Sequence, residues 1–109
     1  MSSVRQNKIA RLIQRDLGEI FQSRTNEYGG MITVTQVRVS PDLGVAKAYI
    51  SVFPGDPKEI FEKVKADLFE VRKQLAARTR HQLRKVPEII VYLDDSNDYL
   101  ENIENLLKE

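Results

Sequence analysis

Six cations crowd one short stretch of this chain. Arg72, Lys73, Arg78, Arg80, Arg84 and Lys85 lie within residues 71–87, which also hold His81 and no acid. Cations at that density suit a polyanion, and the phosphate backbone of a nucleic acid is the obvious one. Val71, Leu75, Thr79 and Leu83 recur every four residues through the same stretch, which predicts a helix with an apolar stripe running to about residue 85. At about 100° per residue, Lys73, Arg80 and Arg84 fall opposite that stripe, with Arg72, Arg78 and Lys85 towards its flanks. The small Ala77 beside the basic row leaves room for a phosphate backbone. A second basic face, made of Lys8, Arg11 and Arg15, lies opposite Ile9, Leu12, Ile13, Leu17 and Ile20 of a first amphipathic helix. Either face alone would serve merely to solvate its helix. Two of them in 109 residues point to a shared contact.

The chemistry that the chain excludes narrows the reading further. There is no Cys, so disulfides, thiolate metal sites and cysteine nucleophiles are ruled out. His81 is the single His, so neither a Ser-His-Asp triad nor a His metal cluster can be assembled. Asp94, Asp95 and Asp98 are the one acidic cluster. As a calcium loop it fails, because Asn105 stands where the bidentate Glu belongs, and helix-start capping suits it better. Gly29-Gly30 is not a phosphate loop, since no Lys-Ser/Thr follows at the required spacing. No catalytic residue, metal or cofactor is therefore expected, and the chain is not expected to be an enzyme. Tyr49 and Tyr92 are able to stack on bases, but strand tyrosines more often pack. No run approaches the roughly 20 apolar residues of a membrane span, and the N-terminus lacks the apolar core of a signal peptide. A cytoplasmic, non-membrane protein is expected.

The net charge of +1 hides a segregation: residues 71–87 carry +6 and residues 88–109 carry −6. The length suits one domain spanning 1–109. Ser2 or Ser3 caps the first helix, which runs to about Ser23. Residues 26–30 read as a loop. Met31 to Val39 reads as a strand whose alternation slips between Val34 and Val37, as at a bulge. Ser40-Pro41-Asp42-Leu43-Gly44 is a turn in which Gly closes the return. Val45 to Phe53 alternates cleanly, with Ala46, Ala48, Ile50 and Val52 on one side, and completes an antiparallel hairpin. Asp56-Pro57-Lys58-Glu59 starts a helix: Asp at N-cap, Pro at N1, Glu at N3. One helix over 57–85 would be about 43 Å long, too long for a domain of this size, so a kink is expected within it. Val86-Pro87 ends the helical region. Glu88 to Leu93 is a third strand whose apolar run suggests a central or well-covered position. Tyr99, Ile103, Leu106 and Leu107 mark a short C-terminal helix.

The element order α-β-β-α-α-β is that of an α+β, type II KH-like domain. Several local sequences sharpen this. Arg5-Gln6-Asn7-Lys8-Ile9-Ala10 leads into Leu17-Gly18-Glu19-Ile20-Phe21. Val37-Arg38-Val39-Ser40-Pro41-Asp42-Leu43 precedes Ala46-Lys47-Ala48-Tyr49-Ile50-Ser51-Val52. Gln82-Leu83-Arg84-Lys85-Val86-Pro87-Glu88-Ile89 and Leu93-Asp94-Asp95-Ser96 complete the set. Over nearly its whole length the chain resembles the ribosome-binding factor A family. The resemblance implies a KH-like domain that binds the small (30S) ribosomal subunit late in its maturation. Such a protein contacts 16S rRNA, aids its 5′-end processing, matters most in the cold, and is not an enzyme. In that family a helix-kink-helix carrying Ala-x-Gly replaces the KH Gly-x-x-Gly loop. The matching region here reads Asp67-Leu68-Phe69-Glu70-Val71 instead.

The expected RNA-binding set is therefore Lys8, Arg11, Arg15, Arg72, Lys73, Arg78, Arg80, Arg84 and Lys85. The protein is expected to work as a monomer, with 16S rRNA and the small subunit as partners. A reading from another class makes it a protein-interaction module that docks a basic ribosomal protein through its acidic C-terminal helix. A DNA-binding helix-turn-helix is disfavoured, because no short Gly-type turn precedes the long basic helix.

Overall fold

The structure, a computed structural model, describes residues 3–94. Helix α1 (Val4–Ser23) opens with a capping box: the Ser3 hydroxyl accepts from the Gln6 amide, and the Gln6 side chain accepts from the Ser3 amide at 2.9 Å. Its apolar face buries Ile13, Leu17, Ile20 and Phe21. Residues read as loop form instead a single helical turn, α2 (Thr25–Tyr28), closed by Gly29 at φ 82°. Tyr28 is buried there, edge-on to Phe21 with ring centroids 6.2 Å apart. That apolar contact gives the turn a reason to fold which local composition does not reveal.

Strands β1 (Met31–Val39) and β2 (Val45–Phe53) form the antiparallel hairpin, with the register slipping between Val34 and Gln36 as the sequence suggests. In the connecting turn the left-handed residue is Leu43, at φ 61°, and not Gly44. The turn is held from within: the Asp42 carboxylate accepts from the Ser40 hydroxyl at 2.7 Å and from the Gly44 amide at 3.0 Å. Those two bonds hold the Asp42 carboxyl below its ordinary value. The Leu43 side chain packs against the core, which offsets its backbone strain.

Strand β3 (Glu88–Leu93) runs parallel to β2, and the sheet order is β1-β2-β3. It is thus an edge strand, with β2 at the centre, so of the two positions expected for it, central or well-covered, the central one is not taken. Its apolar run has another cause. Ile89 and Val91 face the helices, while Tyr92 is 40% exposed on the other face and stacks on Tyr49, its register partner, at 5.3 Å. All the described helices cover one face of the sheet, and the buried side chains between form one cluster.

The kink is real and lies at Asp67. Helix α3 (Pro57–Ala66) starts on Asp56, whose carboxylate accepts from the Lys58 amide at 3.0 Å with Pro57 in the first turn. Asp67, at φ −96° and ψ 0°, separates it from α4 (Leu68–Thr79). The expected C-terminal helix lies outside the described residues.

Gly30 fixes how closely the β1 entry approaches the segment between β2 and α3. A Cβ on it would stand 2.5 Å from the Pro54 carbonyl oxygen and 2.7 Å from Ile60 Cδ1. The carbonyl belongs to backbone and cannot swing away. Gly30→Ala is therefore expected to cost about 2 kcal/mol, measured as a lower urea midpoint with an unchanged slope.

Candidate nucleic-acid interface

Asp67 organises the neighbourhood of the site. Its carboxylate accepts from Arg24 Nε at 2.5 Å, from Arg24 Nη2 at 2.8 Å and from the Tyr28 hydroxyl at 2.5 Å. Arg24 and Asp67 side chains are each only 19% exposed. Burial opposes ionisation of Asp67, yet the bonds from Arg24 and Tyr28 and the guanidinium charge outweigh it and keep its carboxyl below the usual range. The same burial, with the adjacent carboxylate, pushes the Tyr28 hydroxyl well up from its ordinary value. A bidentate, charge-assisted clamp thus sets the break between α3 and α4. It stands in a stretch that has no Ala-x-Gly.

Helix α4 ends at Thr79, six residues before the expected end at residue 85. The reason lies in the stripe itself. A strict four-residue repeat drifts by about 40° per step on a 3.6-residue helix. Val71, Leu75 and Thr79 are fully buried, but Leu83 would have rotated off the core and is only half-buried. The Thr79 hydroxyl bonds back to the Leu75 carbonyl at 2.8 Å, and the Thr79 carbonyl accepts from the Gln82 and Leu83 amides, both at 2.8 Å. Residues 80–87 then turn and run as a loop into β3. Arg80, Arg84 and Lys85 therefore do not ride on a helix face, as expected, but on this loop.

The loop nonetheless returns two of them to the helix. Lys73 and Arg72 on α4 and Arg80 and Arg84 on the loop surround one open hollow of about 420 Å³, with no acid in its lining among the described residues. Its apolar surface comes from Phe69, Ala76, Leu83 and Val86. Arg72 holds the loop in place, donating from Nη2 to the Val86 carbonyl at 3.1 Å. Ala76, not the expected Ala77, is the small residue beside the cations.

Leu83 and Arg84 also line a second hollow, of about 650 Å³, so the two adjoin. Here Lys85 of the loop meets Lys8 and Arg5 of α1. Among the described residues Asp42 is the one acid of this second hollow, and its carboxylate is engaged by Ser40 and Gly44. The result is a basic groove drawing on α1, α4 and the loop between α4 and β3.

Three expected residues fall elsewhere. Arg78 reaches α1, donating to Glu19 and lying 3.9 Å from the buried Asp16 carboxylate. It ties α4 to α1. Arg15 bonds its neighbour Asp16 at 3.3 Å and borders a separate hollow beside β1. Arg11 is exposed on α1 but lines neither part of the groove. Arg5 was missing from the expected set, although its i, i+3 spacing to Lys8 places both on one side of α1. Phe69, 84% exposed, was missed as well. Among the described residues, no group of three His, Cys, Asp or Glu side chains is placed to hold a metal ion, and no helix is long and apolar enough to cross a membrane.

Comparison with known proteins agrees with this architecture. A family model described as ribosome-binding factor A matches residues 5–107. Ribosome-binding factor A of Christiangramia forsetii is 42% identical over 108 residues, which span 95% of this chain and 82% of that protein. The protein of the same name from Flavobacterium psychrophilum is 44% identical over 111 residues, 98% of this chain and 85% of its own. Among solved structures, the crystal structure of ribosome-binding factor A from Thermus thermophilus superposes with a TM-score of 0.66 at 21% identity, covering 81% of this chain and 94% of that one. A homology model of the Thermus thermophilus factor, fitted into a cryo-EM map of its 30S complex, superposes with a TM-score of 0.64 at 23% identity, covering 74% of this chain and 86% of that one. The fold is thus KH-like, as expected.

Proposed function

This chain belongs to the ribosome-binding factor A family, and from that premise we propose that it binds the free or immature 30S subunit through 16S rRNA. It assists late maturation of that rRNA, including processing at the 5′ end. It does so by binding and not by catalysis, as a cytoplasmic monomer. The observation that carries this reading is the groove: cations from three separate segments converge on it, and its one acid is already engaged. Contacts from such a groove go to phosphates, which orient a protein on RNA without reading its sequence.

The cations of the groove are not equally available. Arg72 is committed in part to the Val86 carbonyl, and Arg78 outside it to α1. Lys73, Arg80, Arg84, Lys85, Lys8 and Arg5 remain, and roughly four to five phosphates neutralised among these six is the expectation. The expected log–log slope of small-subunit affinity against KCl is then about −3 to −4, on the scale for single-stranded or irregular RNA. A slope near zero would overturn the phosphate reading and favour a protein contact made through the acidic segment after Asp94.

A further inference from the structure

We propose that the hollow headed by Phe69 takes an unstacked base of a single-stranded RNA segment. The proposal deepens the RNA-binding reading above and rests on it. Phe69 is 84% exposed, more than any other large apolar side chain described. It stands in the first turn of α4, directly after the Asp67 clamp, so its backbone is fixed on both sides. Among the described residues no ring or cation is stacked on it; the ammonium of Lys65 sits over Phe61 instead. Phe69 differs from a singly exposed residue such as Phe53 because it lines a hollow with Ala76, Leu83 and Val86, and an apolar patch rimmed by polar groups marks a binding site.

The surroundings say which. Arg72 and Lys73 follow Phe69 at three and four residues, on the same side of the helix. Arg80 and Arg84 line the same hollow from the loop, the small Ala76 lines it from α4, and no acid among the described residues lines it. An apolar protein segment would leave four cations without partners. A lone phosphate would leave the phenyl face and the half-buried Leu83 and Val86 uncovered. A nucleotide satisfies both halves, its base on the ring and its flanking phosphates on the rim. A volume of about 420 Å³ accommodates a base with its sugar. A base held in a helix has its face covered by its neighbours, so the occupant must be a loop, bulge or strand end.

The test uses the full chain with fluorescently labelled short oligouridylate, oligoadenylate and a short RNA duplex, each titrated over a range of KCl. Phe69→Ala is expected to weaken both single strands about ten-fold and leave the duplex unchanged. The salt slope should stay that of the original protein, because no charge is removed. Phe69→Tyr should restore the affinity. Lys73→Ala, by contrast, should flatten the slope. Single-strand affinity unmoved by Phe69→Ala, in a protein that still binds RNA with a steep salt slope, would sink the stacking proposal and leave the phosphate groove standing. The same holds if Phe69→Ala lost small-subunit binding alone, since the occupant would then be a ribosomal protein. If the unsubstituted protein bound no RNA at all, both readings would fall together.

Discussion

Reversing charge at Lys73, Arg80 and Arg84 together is expected to lower small-subunit affinity at least 100-fold at 0.1 M salt while leaving the fold intact. The size follows from counterion release. Each neutralised phosphate on irregular RNA contributes roughly 0.7 log units at that salt, so three contribute about two, before any repulsion from the new carboxylates. The fold is spared because none of the three forms an ion pair or side-chain hydrogen bond within the described residues. Arg72 is left alone because it holds the loop. Affinity would be read by co-sedimentation with small subunits, and folding by circular dichroism. A folded triple variant that binds normally would place the RNA on another surface. One that unfolds would make these residues structural.

Asp67→Ala should have the largest effect on stability. It orphans the Tyr28 hydroxyl, in a residue 1% exposed, and leaves the Arg24 guanidinium without its partner. Hydrogen bonds to charged groups contribute about 1.5–3 kcal/mol, and a loss of about 2–3 kcal/mol is expected. The pH dependence supplies a second reading. The folded value of Asp67 lies below the unfolded value of about 4. Its contribution is therefore complete above that pH and is lost as pH falls through the folded value. The Asp67→Ala variant should show a shallower acid limb in its stability curve, and what remains should include the similarly depressed Asp42. At high pH the sign is set by Tyr28. Its raised value means that stability present below about pH 10 is lost above it, and this limb should also weaken without the adjacent carboxylate. An acid limb identical to that of the original protein would mean that Asp67 is not ionised in the clamp.

The fold was legible wherever a pattern was local. Ser3 and Asp56 announce their helices through caps, and the two hairpin strands end where β-branched alternation ends. The slip near Val34 shows the bulge. What failed depended on distant partners. Nothing near Asp67 in sequence says that Arg24 and Tyr28 will hold it, so the kink was required by length but could not be located. The run Glu88 to Leu93 looked central because Tyr92 counts as apolar, whereas its face is covered by Tyr49 from the neighbouring strand. The site suffered from one error of extrapolation. Carrying a four-residue stripe on to Leu83 put Arg80, Arg84 and Lys85 on a helix that stops at Thr79. Composition correctly marked the basic stretch, but could not tell Arg78, turned towards Glu19, from Lys73, which faces outward. Phe69 was overlooked because an aromatic in an amphipathic helix normally reads as core.

The parallel pairing of β2 with β3 also sets when the groove comes into being. Helix α1, β1 and β2 are neighbours in sequence and need only short closures. By contrast, Glu88 meets Gly44 and Val45 only after α3, α4 and the basic loop have all been laid down. Closing so long a span carries its full entropic cost before any strand contact is made, which slows the step and puts it late. The loop bearing Arg80, Arg84 and Lys85 is anchored at its far end by that pairing and by the Arg72 bond to the Val86 carbonyl. During synthesis the order is therefore fixed: an emerging chain displays Lys8, and later Lys73, well before it has a groove to hold them in. The complete groove arrives only with β3, so on the proposed function a half-made copy has no full surface with which to hold RNA.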